Sequence, residues 1–351
     1  MGFLKELRVA NDVRQIQAGV IAHHRLDSVR LNPLPTKNAI ICIIHVRNEL
    51  LRLPDCLRHH RELGVDRFAV IDNNSDDGTR DYLADQPDVD IFLTLDSFSE
   101  ARGGIYWQER LAARYGYDRW YLTVDADEQL VYSGMRRHNL HRLAEYLRSW
   151  NAKAFLAPMI DMYANVLLGE YTYAPGQRML DVCRFFDGTS YKVQKRDTRI
   201  IDVTGGPRVR LLSNSSGAFG NYINKYPFFY WDKTVRRRNI HHFEAHKHKT
   251  PPSGALLHFK FLPDLPMRID RALEEKQYWN NSVQYRHYSK NMEQLNNLFY
   301  DDSLEYFTPE SLSDRGLMNR IYWSARRPTK SLITAFLQRR PLLRSFETLE
   351  G

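Results

Sequence analysis

The chain has no run of 18 or more apolar residues, so nothing in it is long and apolar enough to cross a bilayer as a helix. Its first residues, Met1-Gly2-Phe3-Leu4-Lys5-Glu6-Leu7-Arg8, mix acids and bases where a secretory leader needs an apolar centre. A soluble, unexported, cytoplasmic protein is expected. Cysteine is scarce: three residues without C-x-x-C spacing offer neither a disulfide framework nor a thiolate zinc centre. Cys42, in an apolar run, and Cys56, in a helical pattern, read as small buried hydrophobes, which suits a reducing cytosol. Acidic charge is short as well. A formal net charge of +8 and a pI near 9.3 admit nucleic acid, anionic lipid or a phosphorylated small molecule as partner, and select none of them. The G-x-x-x-x-G-K-[ST] phosphate loop is absent, and no Gly-rich, Lys-bearing loop follows the first candidate strand. There is no internal repeat and no low-complexity segment.

What is present is a globular composition, 43% hydrophobic and 12% aromatic over 351 residues, enough for a sizeable core. Residues 39–46 are a continuous β-rich run, followed by Arg47-Asn48-Glu49 and a helical pattern over 51–63 closed by Gly64. Residues 67–72 form a second buried strand. It runs into Asn73-Asn74-Ser75-Asp76-Asp77-Gly78-Thr79, whose turn formers and caps lead to a short helix through Leu83. A third strand (89–95), a third helix (103–115) and a strand ending at Asp125 complete β-α-β-α-β-α-β. That order implies an α/β fold: a doubly wound, mainly parallel sheet with helices on both faces and right-handed crossovers. A helix over 139–150, capped by Asn139, precedes a fifth strand over 154–163. The next hundred residues are irregular and rich in Tyr, Arg, Lys, Gly and His, as in a binding half draped over a sheet edge, with one short alternating strand at 255–261. Residues 1–38, with a short helix before the Pro33-Leu34-Pro35 break, read as a packing arm. Helical patterns at 267–279 and 292–300 lead to a basic tail, seven Lys/Arg against two Glu from Arg320 onward.

The chemistry concentrates where the run Trp120-Tyr121-Leu122-Thr123-Val124 ends in Asp125-Ala126-Asp127-Glu128. A buried parallel strand delivers such acids to its C-terminal end, where open α/β sheets hold ligands. Asp125 and Asp127 lie two apart, on one face of an ideal strand, and at a fraying end they converge on one cation. Carboxylate oxygens suit Mg²⁺ or Mn²⁺, which sits between one or two protein acids and the phosphates of a substrate. A lone D-x-D reads first as an acidic strand-to-loop turn. Three polar turns in this order, at 47–49, 72–79 and 125–128, are far more specific.

The combination resembles the family 2 glycosyltransferases of the GT-A fold, and more closely the branch with V-R-N-E, D-N-x-S-x-D-G-T and D-A-D-E motifs, over about residues 39–285. The stretch Ser253-Gly254-Ala255-Leu256-Leu257-His258-Phe259-Lys260-Phe261 is similar to one that follows the acceptor region in that branch. The resemblance implies metal-dependent transfer of a sugar, with inversion, from a nucleotide diphosphate sugar (a UDP-sugar first) to a hydroxyl of a glycan or lipid-linked acceptor. By position it implies that Val46, Arg47 and Glu49 edge the nucleotide and that Asp72 contacts base or ribose. Asp125 would hold the ribose or the metal's water shell, Asp127 would bind Mn²⁺ or Mg²⁺ directly, and His258 would complete the coordination. Asn73 stands where many members have a second Asp, and Gln129 where an aromatic is more usual. Four segments follow: an N-terminal arm (1–38), a nucleotide-sugar-binding half (39–150), an acceptor-binding half (151–265) and a C-terminal helical region with its basic tail (266–351).

The residue types suit this chemistry on their own account. A divalent cation stabilises a departing diphosphate as a Lewis acid, and basic side chains help, with Lys225, Lys260 and Arg102 as candidates. Inversion needs a carboxylate base opposite the diphosphate; Asp161 is the first choice because it ends the next strand, with Asp181, Asp202 and Glu244 as alternatives. Trp107 and Gln108 open a helix facing the diphosphate and line the donor pocket, unless Trp107 is core. His241, His242, His246 and His248 read as a solvated loop rather than a zinc site. The amphipathic tail over 330–340 suits peripheral contact with anionic lipid at the inner face of a membrane, or packing as a terminal helix. The rival enzyme is a nucleotidyltransferase acting on sugar phosphates. A non-enzymatic RNA- or lipid-binding protein would explain the pI, but carboxylates repel phosphodiesters and nucleic acid is not expected.

Overall fold

The computed structural model describes residues 23–195, 201–212, 222–232, 235–237, 243–244, 253–276 and 279–323. The elements run β1 (Asp27–Arg30), β2 (Ile41–Val46), α1 (Leu53–Glu62), β3 (Arg67–Asp72), α2 (Thr79–Ala84), β4 (Val89–Leu93), α3 (Ile105–Tyr115), β5 (Arg119–Asp125), β6 (Glu128–Val131), α4 (Leu140–Ser149) and β7 (Ala154–Asp161). There follow α5 (Met179–Val182), β8 (Phe185–Asp187), β9 (Lys192–Lys195), β10 (Ile201–Thr204), α6 (Pro207–Leu212), β11 (Asn224–Trp231), β12 (Arg236–Arg237), β13 (Phe243–Glu244) and β14 (Ala255–His258). The chain closes with α7 (Leu265–Glu275), α8 (Trp279–Lys290), α9 (Met292–Asn296), β15 (Ser303–Glu305) and α10 (Pro309–Asp314).

Among the described residues the central sheet has nine strands in the order β1-β4-β3-β2-β5-β11-β7-β14-β6. Strands β2, β3, β4, β5, β7 and β14 point one way, and β1, β11 and β6 run against them. The alternation of side chains across a strand explains the two layers. Cys42, Ile44 and Val46 face α1 and α4, in one cluster with Leu53, Cys56, Leu57, Leu143 and Leu147. Ile41 and Ile43 face α3, packed with Trp107, Leu111 and Ala112. Burying each such side chain contributes about 1.5–3 kcal/mol, so the strands that carry the site are fixed from both faces. The chain is therefore α/β, with a mainly parallel sheet between helices, as the element order implied.

Three strands of the central sheet were not legible as such. The described part of the 1–38 arm is an edge strand, β1, antiparallel to β4, and its exposed Asp27-Ser28-Val29-Arg30 carries no apolar alternation to announce it. Strand β6 follows the acids at once and is buried throughout, paired with β14. Strand β11 occupies the stretch read as irregular, yet lies between β5 and β7 with all but one residue buried. Pro227 argues against a central strand, and a shift in the β11–β7 register between Lys225 and Phe228 accommodates it. Helix α4 starts as its sequence requires, with Asn139 Oδ1 accepting the Arg142 amide at 3.1 Å. Cys42, Cys56 and Cys183 are buried and free, and no described helix is long and apolar enough to cross a membrane.

Candidate active site

Strands β2, β3 and β5 end at one edge, and their three polar turns interlock there. Three consecutive amides of the first turn donate to side chains of the second: Asn48 N to Ser75 Oγ (2.9 Å), Glu49 N to Thr79 Oγ1 (3.0 Å) and Leu50 N to Asp77 Oδ2 (3.1 Å). Asp72 is fully buried, accepting from Ser75 N at 2.8 Å and from Arg80 Nε at 2.7 Å. Asn73 is also buried and donates to the carbonyls of Thr94 (3.1 Å) and Asp96 (3.0 Å). Val46 is buried, its carbonyl accepting from Asn73 N at 2.8 Å. In this arrangement Asp72, Asn73 and the Val46 carbonyl are tied to neighbouring main chain and to Arg80 and shape the edge. Short Asx, Ser and Thr side chains bond nearby main chain in this way.

The acids of the third turn have different neighbours. Asp125 ends β5 with 48% of its side chain exposed, and its Oδ2 accepts from Lys225 Nζ at 2.8 Å. Glu128, fully buried, takes a second bond from the same ammonium and accepts the Asp125 amide at 3.0 Å. Burial pushes the Asp125 carboxyl up, and the Lys225 ammonium outweighs that and holds it below the usual range. Lys225 therefore reaches the acid cluster from β11, as a counter-ion at its rim.

Asp127 is only 5% exposed. Burial raises its carboxyl, but His258, Lys260, Arg268 and Arg52 together hold it well below the usual carboxylate range. His258 comes from the end of β14, where it pairs in register with Glu128 of β6 and with Asp161 of β7. Its Nε2 stands 3.7 Å from Asp127 Oδ2, too far for a hydrogen bond, while its Nδ1 meets Asp161 Oδ1 at 2.5 Å. Asp161 Oδ2 accepts from Arg208 Nε at 2.7 Å. Asp161 is 1% exposed; burial raises its carboxyl, and Arg208 and then His258 reverse the shift and keep it ionised. Both Asp161 oxygens are thus engaged, one fixing the histidine ring and the other neutralising a buried guanidinium.

Helix α7 and the residue before it close over this edge through three ion pairs. Arg268 NH2 donates to Glu49 Oε1 at 2.8 Å, Arg52 NH1 to Asp264 Oδ2 at 2.8 Å, and Arg47 NH2 to Glu275 Oε1 at 2.8 Å. Burial raises the Glu49 carboxyl against the pull of Arg268 and Arg52. Lys260 Nζ donates to Tyr285 Oη at 3.0 Å. Arg52, Arg208 and Arg268 escaped the sequence reading because each has its partner far along the chain. Arg208 had one signal, the Gly205-Gly206-Pro207 turn that opens its helix.

The remaining candidates separate. Trp107 is fully buried beside Phe98 and His45 and belongs to the core. Gln108 is buried, its Nε2 3.4 Å from His45 Nε2, and Arg102 lies over the Tyr106 ring at 5.7 Å. Gln129 donates to Asp55 Oδ2 at 2.9 Å inside the fold. Asp181 is exposed on α5, while Asp202 and Glu244 are on β10 and β13 with side chains outside the described residues. His241, His242, His246, His248 and the basic tail over 330–340 also lie outside the described residues.

Among the described residues no group of three or more His, Cys, Asp or Glu side chains stands ready to enclose a metal ion. Asp127 and His258 make a two-donor set: an ionised carboxylate and an imidazole whose far nitrogen is tied to a second carboxylate. That set fits Mn²⁺ or Mg²⁺ with water and phosphate oxygens completing the shell. No family model matches the chain, and no curated protein matches it. Among solved structures it is similar to a 4-diphosphocytidyl-2C-methyl-D-erythritol synthase, at 16% identity over 41% of this chain and 67% of that one, with a TM-score of 0.25. It is also similar to the inositol-1-phosphate CTP transferase from T. maritima, at 12% identity over 81% of this chain and 97% of that one, with a TM-score of 0.26. Neither likeness is close enough to carry an activity to this chain.

Proposed function

We propose that the chain catalyses a cation-assisted transfer at a nucleoside diphosphate linkage, and that the group moved is a glycosyl unit from a nucleotide diphosphate sugar. The observation that carries this reading is the setting of Asp127, one buried, ionised carboxylate with His258, Lys260, Arg268 and Arg52 around it. Of these, Lys260 bonds the Tyr285 hydroxyl and has no carboxylate partner among the described residues, so its charge is left for a diphosphate to balance. A divalent cation held by Asp127 and His258 would supply Lewis-acid stabilisation of the leaving diphosphate. The protein's own residues bind and orient. Asp161 orients His258, Lys225 fixes Asp125 at the rim where a ribose is expected, and Lys260 and Arg268 offer charge-assisted hydrogen bonds to phosphate oxygens. The acceptor base then falls to Asp181, Asp202 or Glu244, and the acceptor is a glycan or lipid-linked hydroxyl.

A second reading, nucleotidyl transfer to a sugar phosphate, is favoured by one observation. The described carboxylates around the site are already matched with cations: Asp72 with Arg80, Glu49 with Arg268, Asp125 with Lys225 and Asp161 with Arg208. Attack by a phosphate oxygen needs no carboxylate base, whereas attack by a hydroxyl does. Calorimetry with UDP-, GDP-, CMP- and dTDP-sugars and with CTP, each with Mn²⁺ or EDTA, tests both readings. The first expects one nucleotide sugar to bind with Mn²⁺ and to lose at least about tenfold in EDTA or in Asp127→Asn. CTP binding followed by pyrophosphate release on adding a sugar phosphate would assign the second reading. Equal affinities with and without Mn²⁺ would overturn the cation site on which both rest.

A further inference from the structure

Strand β6 leads away from Asp127, and just beyond its far end lies a cavity of about 380 Å³ that the transfer reaction does not use. Its size lies within the range of small-molecule sites. The walls are tied to one another. Trp323 Nε1 donates to the Ser133 carbonyl at 3.1 Å, the indole stacks on His138 with ring centroids 4.2 Å apart, and Glu310 Oε1 accepts the Gly134 amide at 2.9 Å. Gly134 has φ +80°, and a Cβ there would stand 2.4 Å from Trp323 Nε1, so turn and indole close together only because the residue is glycine.

The charges in this cavity are unbalanced. Arg136 and Arg137 line it, are exposed, and have no carboxylate partner among the described residues. Burial lowers the His138 imidazole, and the nearby Arg142 and Arg137 lower it further, so it adds no charge near neutrality. Against two guanidiniums stands one carboxylate, Glu310, already turned to the Gly134 amide. The balance is one positive charge, beside an apolar wall from Met135 and Trp323 and the hydroxyl-bearing Thr308.

We propose that this cavity binds a phosphodiester. Such a group carries a single negative charge, and its two non-bridging oxygens offer one acceptor to each guanidinium, whereas a lone carboxylate fills the fork of one arginine. The organic arms of the diester lie along Met135 and Trp323. A soluble glycerophosphodiester and the headgroup of an anionic phospholipid present the same chemistry.

The test uses the full chain at low ionic strength. One arm titrates glycerophosphoglycerol followed by ³¹P NMR, and the other sediments the protein with vesicles of phosphatidylglycerol and phosphatidylcholine, or of phosphatidylcholine alone. The double variant Arg136→Ala, Arg137→Ala changes exposed side chains only, and Arg25→Ala, Lys37→Ala removes two exposed charges elsewhere as a control. Binding in either arm that falls at least about tenfold in the first variant and holds in the control supports the site, and the arm that responds identifies the source. Absence of binding in both arms, equal binding by the first variant, or tighter binding of glucuronate than of the diester overturns the proposal.

Discussion

Replacing Lys225 with methionine removes one ammonium from between two carboxylates while keeping the length of the side chain. Glu128 is fully buried and Lys225 nearly so, and breaking a buried ion pair from one side costs about 3–5 kcal/mol because the other charge is left unpaired. Asp125 has 48% of its side chain in water, which takes over part of the lost interaction, so the low end of that range, about 3 kcal/mol, is expected at pH 8. The loss should depend on pH in a defined direction. Burial already raises the Glu128 carboxyl above its ordinary 4.5, with Lys225 pulling it back down, so in the variant its folded value rises further. Stability from a raised carboxyl is present below the unfolded value and is lost as pH rises through the folded one. The deficit therefore grows from pH 5 to pH 8, reaching about 3 kcal/mol, as the protonated Glu128 that softens it at low pH gives up its proton. Urea unfolding at the two pH values measures this, and adding Glu128→Gln to the variant should flatten the dependence. A deficit equal at pH 5 and pH 8, or below about 1 kcal/mol at pH 8, would refute the idea that Lys225 is the counter-ion of a buried carboxylate.

Asp161→Asn and Arg208→Gln should each release His258 from its Nδ1-protonated form, visible in ¹⁵N-histidine spectra of the metal-free protein, and weaken Mn²⁺ binding by about 10–100-fold in spin-resonance titrations. An unchanged His258 spectrum would leave Asp161 and Arg208 without a positioning role. Gly104→Ala should cost about 2–4 kcal/mol in urea unfolding, because its Cβ would stand 2.3 Å from His45 Cε1 at a φ of +79°. A cost under about 1 kcal/mol would mean that His45 simply moves aside.

The strands that end at the site were easy to find in the sequence and the rest of the site was hard, for physical reasons. Strands β2, β3 and β5 are buried on both faces, so they read as unbroken apolar runs that stop at turn formers. Strand β11 hid behind Pro227 and behind partners far upstream, β5 and β7. The 72–79 motif was legible as part of a site, but its side chains hold the main chain of the neighbouring turn, a role that spacing alone does not separate from ligand contact. Asp161 was found as a strand-end acid and read as a base. Its partner Arg208 lies 47 residues downstream, and only the fold reveals that both of its oxygens are taken. Asp127 and His258 were paired through resemblance, and the β6–β14 register is what brings them within 3.7 Å.

The placement of β14 between β7 and β6 also sets when the site comes into being. Asp127 and Asp161 are both translated about a hundred residues before His258, and their strands cannot take their final places until β14 slides between them. Such distant pairing is slow to form, and during synthesis it waits for the last part of the chain. A ribosome-bound chain that ends before Ala255 holds Asp125, Asp127, Glu128 and Asp161 but lacks the histidine and the strand that would seat it. Completion of the sheet and seating of His258 are the same event, so a chain cut before Ala255 would lack both.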